Sequence, residues 1–267
     1  MTKRTGGNGL KNSCVAHRGA SGLAPENTMA AIRKAMSFPF VEWIELDVQL
    51  SRDGIPVVIH DDTLQRTAKR KGRVADYDAE QLTATDVGGW FSPAFAGETI
   101  PLLETVIEET KGRCRLNIEL KTYGGRYPGM EKAVVDLLRK HGIEREAVIT
   151  SFDPTALRKV RELSADVKIG LIIDGAPPFL VQELKTLDAA FLSIGHAYLN
   201  RQRTALFSEA GLQVMAWTVN DPQRMRRLAA ISPDIMICTN YPDRYAAALG
   251  KQPRPGWLKR LFGRSAT

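Results

Sequence analysis

Glu45 and Asp47 lie one residue apart in the apolar run 41–48. Alternation along a strand puts both carboxylates on one face and Ile44, Leu46 and Val48 on the other. Two carboxylates turned into an apolar interior are costly unless a cation sits between them. A third carboxylate, Glu119, ends the apolar run 115–120. Three hard oxygen donors without a cysteine suit a divalent cation, Mg²⁺ or Ca²⁺, rather than Zn²⁺. The competing arrangement is a buried salt-bridge cluster of the same carboxylates with Arg18 and Lys121. His17 and His60, two of the four histidines, also end apolar runs. Imidazoles titrate near neutrality, so one can take a proton while the other gives one. That pairing suits displacement at phosphorus, with a base for the nucleophile and an acid for the leaving alkoxide. Arg18 and Lys121 would then hold phosphate oxygens, Arg18 with its forked guanidinium. His141 precedes Gly142 at a helix end, where a cation meets the helix dipole favourably. His196 follows the seventh strand and is a weaker candidate for the same mouth.

The elements that must position these groups alternate. Apolar or β-branched runs recur at 13–18, 41–48, 56–60, 115–120, 147–151, 167–173, 190–194, 213–219 and 235–238. Helix-like amphipathic stretches are predicted at 28–37, 102–110, 130–141, 154–163, 179–186, 202–210 and 222–230. Strand–helix alternation predicts a parallel sheet with helices outside. Eight or nine strands fit a (β/α)₈ TIM barrel of the α/β class, in which chemistry gathers at the C-terminal ends of strands. No G-x-G-x-x-G follows the first strand, which removes the main support for a dinucleotide site. Between the second and third strands there is no room for a helix. With Asp53-Gly54 as a two-residue turn, a hairpin there would pair Asp47 with His60. An extended return between parallel strands is the other option. Residues 61–100 lack a clean period and carry Trp90-Phe91. They read as an insertion after the third strand, on the barrel face, with no core of their own.

Composition narrows the function classes. The 267 residues are 43% hydrophobic and 25% charged, with no apolar run of spanning length. A disordered, collagen-like or multi-span membrane chain is excluded. The net charge of +7 is concentrated at the ends: residues 1–13 hold +3 and 251–267 hold +5, while 14–250 has 29 bases against 30 acids. A neutral body argues against a cationic groove for nucleic acid. Cys14, Cys114 and Cys238 are widely spaced and read as reduced thiols. The basic N-terminus has no apolar h-region, so no signal peptide is expected and the default location is cytoplasmic. The chain divides into a flexible basic N-terminal segment (1–12), a barrel (13–250) and a basic tail (251–267). Trp257, Leu258, Leu261 and Phe262 in the tail fall on one helical face beside Lys259, Arg260 and Arg264. That pattern suits weak, salt-sensitive contact with anionic membrane, or docking on the barrel's outer helices.

His17-Arg18-Gly19-Ala20 with Ala24-Pro25-Glu26-Asn27-Thr28 resembles the opening motif of the glycerophosphodiester phosphodiesterases. Glu45-Leu46-Asp47-Val48-Gln49-Leu50, Asp53-Gly54 and Pro56-Val57-Val58-Ile59-His60-Asp61 resemble its continuation. Gly88-Gly89-Trp90-Phe91-Ser92-Pro93 with Phe95-Ala96-Gly97-Glu98 resembles the family's insertion. Asn117-Ile118-Glu119-Leu120-Lys121, Trp217-Thr218-Val219-Asn220 and Thr239-Asn240-Tyr241-Pro242-Asp243 are similar to its later blocks. Met236 and Cys238 depart from the usual last block, at core positions. The resemblance covers about residues 14–248.

It implies metal-dependent hydrolysis of a glycerophosphodiester to sn-glycerol 3-phosphate and an alcohol such as choline or ethanolamine. By matching position, Glu45, Asp47 and Glu119 would hold the cation, and His17 and His60 would form the acid–base pair. Arg18 and Lys121 would hold phosphate. Glu26 and Asn27 either start a helix or act at the mouth, where Glu26 could orient His17. Trp217 and Phe91 could wall the substrate, with the insertion capping the mouth and selecting the glycerol end. A phospholipase C- or D-like activity on lysolipids is the alternative. A barrel that only binds would have lost one of these seven ligand, histidine or phosphate-holding positions, and none is missing.

Overall fold

The computed structural model describes residues 12–250. The N-terminal segment before Asn12, and the basic tail with its expected membrane contact, lie outside the described residues. Nine strands occur in chain order: β1 (Cys14–His17), β2 (Val41–Leu50), β3 (Pro56–Val58), β4 (Arg115–Leu120), β5 (Ala147–Ser151), β6 (Lys168–Ile173), β7 (Phe191–Gly195), β8 (Gln213–Trp217) and β9 (Met236–Thr239). All but β3 are parallel, and pairing of β1 with β2 closes them into an eight-stranded barrel. The fold is the expected (β/α)₈ barrel.

Outside lie α1 (Met29–Met36), α4 (Leu103–Thr110), α5 (Met130–His141), α6 (Pro154–Leu163), α7 (Leu180–Thr186), α8 (Arg201–Glu209), α9 (Pro222–Ile231) and α10 (Pro242–Leu249); α2 (Gln65–Ala68) and α3 (Ala79–Thr83) belong to the insertion. Their ends follow local chemistry. The Thr28 hydroxyl accepts the Ala31 amide at the start of α1. Asp153 and Asp221 cap α6 and α9, each followed by a proline at the first helical position. Gly142 closes α5 at φ +67°. Helix α10 was not expected from periodicity. It is anchored by Tyr245, which is fully buried and donates to the Asn12 carbonyl.

Two apolar layers separate inside from outside. Ile44, Leu46 and Val48 belong to the large core between barrel and helices. Val15, Trp43, Val148, Phe191, Met215, Met236 and Cys238 fill the barrel's floor. Cys14 and Cys238 are buried, Cys114 is half-buried, and all three are unbridged.

Two expectations are corrected. The β2–β3 hairpin exists, but Val48 pairs with Val58, Gln49 with Val57 and Leu50 with Pro56. The Ile59 amide donates to the Asp47 carbonyl at 3.0 Å, so Asp47 faces Ile59 and not His60. The turn is wider than two residues because the Ser51 hydroxyl accepts the Ile55 amide and donates to Asp53, with Gly54 at φ +78°. Residues 61–100 are not coreless. Leu64, Val74, Leu82, Val87 and Ile100 pack with Val57 and Ile59 in a satellite cluster. Helices of four and five residues are too short to show a period, which is why the sequence pattern missed this cluster.

Candidate active site

Parallel pairing sets the site in two levels along β2. On the lower level His17 pairs with Glu45 from β1, and Glu45 with Asn117 from β4. On the upper level Asp47 pairs with Glu119. Paired residues in neighbouring parallel strands face the same side, so these groups all enter the barrel mouth. Strand β1 stops at the level of Glu45, which frees that edge of β2 for β3. Strand β3 descends antiparallel and stops at the level of Asp47. The strand-end histidines therefore reach the carboxylates from opposite directions.

His60 lies beyond the ladder, in a bend gripped by a buried residue that sequence reasoning did not single out. Gln49 Nε2 approaches the carbonyls of Ile59, His60 and Asp61 at 3.0, 2.9 and 2.7 Å. Its own oxygen accepts from Tyr127 Oη at 2.6 Å. A polar residue continuing the inward series 45, 47, 49 was the available signal.

One ligand oxygen each from Glu45, Asp47 and Glu119 lies within 4.8 Å of the others, and all three residues are buried. Two cations meet them. Arg18 Nε is 3.1 Å from Asp47 Oδ2, and Lys121 Nζ is 3.0 Å from Asp47 Oδ1 and 2.5 Å from Glu119 Oε1. Asp47 Oδ1 and Glu119 Oε1 are both buried against the one Lys121 ammonium. Three carboxylates against two fixed cations leave one negative charge over. Three buried carboxylates this close together, with more negative than positive charge around them, fit a divalent cation of the hard, oxygen-preferring kind. Of the two arrangements expected from sequence, the salt-bridge cluster is present, with Arg18 and Lys121 paired to Asp47 and Glu119, and the three carboxylates also lie close enough together to share one cation.

The electrostatics agree. Burial, then Asp47 and Glu119, pushes the Glu45 carboxyl well above its ordinary range. Burial, then Asp47, pushes Glu119 up to about 7. Burial also acts to raise Asp47, but Arg18 and then Lys121 hold it below the usual carboxylate range. His17 is lowered to about 4 by burial and then by Arg18. His60 is lowered by burial.

Each histidine is oriented through Nδ1. His17 Nδ1 lies 2.7 Å from Asn240 Oδ1, and His60 Nδ1 lies 2.7 Å from Asp61 Oδ1. Both acceptors leave Nε2 to face the site. Asn240 and Asp61 sit inside recognised strings yet were not read as partners. Asn27 donates to Asp47 Oδ2 at 2.8 Å and so steadies a carboxylate. Glu26 contacts neither histidine. It receives Arg18 at 2.9 Å and Arg66 at 2.7 Å, and Arg66 also reaches Asp61 at 2.6 Å. Arg66 thus ties the insertion to both Arg18 and His60.

A cavity of about 540 Å³ opens above the cluster, touched by His17, Arg18, Glu45, His60, Glu119 and Lys121. Its floor carries Asn117, Thr150 and Ser193, and its apolar wall is Ile172, Met215, Trp217 and Phe152. Trp217 packs edge-on against Phe152 at 5.9 Å, and its buried indole N–H has no partner among the described residues. Phe91 is not part of this wall; it packs with Trp90 and Phe95 in the insertion. The insertion buttresses the mouth through Arg66 and contributes no lining residue besides its neighbour His60. His196 is half-buried in the turn after β7 and lines no part of the cavity. His141 stands on the outer helices with Glu104 and Glu108, where Glu104 already pairs with Lys140 and His141.

The family model described as the glycerophosphoryl diester phosphodiesterase family matches residues 17–244. The chain belongs to this family. Membership makes it a phosphodiesterase that hydrolyses glycerophosphodiesters. A glycerophosphodiester phosphodiesterase of Caldanaerobacter subterraneus is 34% identical over 235 residues, spanning 88% of this chain and 96% of the relative. An Oleispira antarctica phosphodiesterase solved with its product sn-glycerol 3-phosphate is 32% identical with a TM-score of 0.84, covering 90% of this chain and 97% of that one. A glycerophosphodiester phosphodiesterase of Agrobacterium tumefaciens is 31% identical with a TM-score of 0.76, covering 88% and 99%. No helix among the described residues is long and apolar enough to cross a membrane.

Proposed function

We propose that the cavity cleaves glycerophosphodiesters to sn-glycerol 3-phosphate and an alcohol, with Glu45, Asp47 and Glu119 holding one Mg²⁺ or Ca²⁺. The observation that carries this reading is the buried carboxylate trio, close enough to share one cation and set between two histidines and the cationic side chains of Arg18 and Lys121. A bound cation supplies charge neutralisation at phosphorus and acidifies a coordinated hydroxyl.

The chain's own groups do the rest. Arg18 and Lys121 hold non-bridging phosphate oxygens. The floor groups Asn117, Thr150 and Ser193 offer partners to the glycerol hydroxyls. The two histidines differ in backing: Asp61 is a carboxylate and stabilises a protonated ring, while Asn240 is neutral. His17 is also the more buried of the two rings, which disfavours its charge, while Arg18 acts against a charge on both. His60 is therefore the acid that protonates the leaving alkoxide, and His17 is the base that takes the proton of the attacking hydroxyl.

The test is an assay of the purified protein on glycerophosphocholine, with EDTA and then Mg²⁺ or Ca²⁺ restored. The expected result is loss of sn-glycerol 3-phosphate release in EDTA and its recovery with the metal. Full turnover in EDTA would overturn the metal assignment. Preferred turnover of lysophosphatidylcholine would replace this substrate reading with the lysolipid one.

A further inference from the structure

Arg66 lies in α2 of the insertion, flanked by the buried residues Leu64 and Thr67. Its guanidinium is engaged on two edges. Nε and Nη2 donate to Asp61 Oδ2 and Oδ1 at 2.6 and 3.1 Å, and Nη1 and Nη2 donate to Glu26 Oε2 and Oε1 at 2.8 and 2.7 Å. Nη2 thus joins two oxygens that each have a second partner: Asp61 Oδ1 also holds His60 Nδ1, and Glu26 Oε1 also holds Arg18 Nη1. Resting on the function proposed above, we infer that Arg66 is a positioning residue for the reaction, setting the acid His60 through Asp61 and the phosphate-holding Arg18 through Glu26.

Neither carboxylate is placed by its own backbone alone. Asp61 follows His60 directly, and adjacent side chains on an extended chain point to opposite sides. They meet because the chain bends where Gln49 gathers the carbonyls of Ile59, His60 and Asp61. Arg66 then takes both Asp61 oxygens and fixes the plane of that carboxylate. The terminal torsion of a glutamate is broad. Two bonds from Arg66 fix Glu26 so that Oε1 meets Arg18 Nη1 at 2.9 Å, while Arg18 Nε lies 3.1 Å from Asp47. Among the described residues Arg18 Nη2 has no partner, and that edge is left for a phosphate oxygen.

Arg66 is itself anchored to the core of the insertion. The Leu64 amide donates to the Gly72 carbonyl at 3.1 Å. The Trp90 ring centre lies 5.8 Å from the guanidinium, and the Trp90 indole donates to the Val87 carbonyl at 2.8 Å. Val87 and Leu64 share the satellite cluster. Only arginine suits the place, because a lysine ammonium is a point charge and cannot close two bidentate pairs.

The effect is geometric rather than energetic. The Arg66 side chain is 42% exposed, and ion pairs this open add little to stability. A catalytic group displaced by about 1 Å, in contrast, loses about 10²-fold in rate.

The experiment compares two esters of sn-glycerol 3-phosphate, one with choline and one with p-nitrophenol. Cleavage breaks the bond from phosphorus to the alcohol oxygen. The choline alkoxide takes the proton of His60, whereas nitrophenolate leaves as a stable anion without one. Arg66→Met keeps the stem of the side chain and removes the fork. It should lower kcat for the choline ester at least about tenfold more than for the nitrophenyl ester. It should also raise KM for both, through Arg18. Arg66→Lys should follow Arg66→Met, and both should keep the rise in melting temperature caused by Mg²⁺ or Ca²⁺. His60→Ala, with no acid at all, should separate the esters further, and adding Arg66→Met to it should widen the gap no more. Equal kcat losses on the two esters in Arg66→Met, as a general loosening of the fold gives, would overturn the inference. So would wild-type kcat and KM in Arg66→Lys, or loss of the metal-induced rise in both variants. Equal losses on the two esters in His60→Ala would instead overturn the acid assignment on which the inference rests.

Discussion

Glu119→Gln should stabilise the metal-free fold while abolishing its activity. The substitution keeps shape and leaves an amide oxygen for Lys121, which also retains Asp47 at 3.0 Å. What it removes is a carboxylate pushed up to about 7 by burial and by Asp47. Between the ordinary glutamate value and about 7, the folded chain binds a proton that the unfolded chain has released. Stability therefore falls as pH rises through that window, and the penalty is complete above it. Each tenfold in proton affinity is worth about 1.4 kcal/mol, so the cost at pH 8 is about 3 kcal/mol. For a chain of this size about 2 °C accompanies each kcal/mol, giving a melting temperature about 6 °C higher for the metal-free variant. At pH 4 the gap should close. Saturating Mg²⁺ or Ca²⁺ should raise the wild-type melting temperature and leave the variant unmoved, because binding to the native state alone stabilises it. Differential scanning fluorimetry at both pH values, in EDTA and in metal, reads all four conditions. A variant less stable than wild type at pH 8, or a gap of equal size at pH 4, would refute the reasoning.

His17→Ala and His60→Ala should each lower kcat by at least about 10²-fold while the metal-induced rise in melting temperature persists; loss of that rise would make the histidines ligands. Asp61→Asn removes the carboxylate that favours protonated His60, so the alkaline limb of the pH–rate profile should move down by about one pH unit. An unmoved limb would sever Asp61 from the acid. Gly19 sits at φ +77°, where an added Cβ would lie 2.7 Å from the Ala31 carbonyl carbon. Gly19→Ala should cost roughly 2–4 kcal/mol by chemical denaturation, and an unchanged midpoint would contradict the packing.

Alternation at positions 44–48 was enough to set Glu45 and Asp47 on one face and three aliphatic residues on the other. The structure places Ile44, Leu46 and Val48 at full burial against the helices, as that pattern requires. Helices α5 and α6 were legible to the residue, because Pro154 and Gly142 punctuate them and their apolar faces repeat at helical spacing. The fold class followed from counting strands. These are short-range properties, written within one or two turns of chain.

What tertiary structure decided is which strand ends meet. The hairpin register depended on side-chain bonds of Ser51 and Asp53 that no turn-length rule contains. Asn240 reaches His17 across 223 residues, and Arg66 reaches Glu26 across 40, only because the barrel closes and the insertion folds back. Phe152 looked like an ordinary residue after a strand. It became a wall of the cavity because barrel closure sets the end of β5 beside Trp217. Periodicity specifies the face on which a side chain lies; the company it keeps there is set by long-range strand pairing, which leaves no repeat in the local sequence.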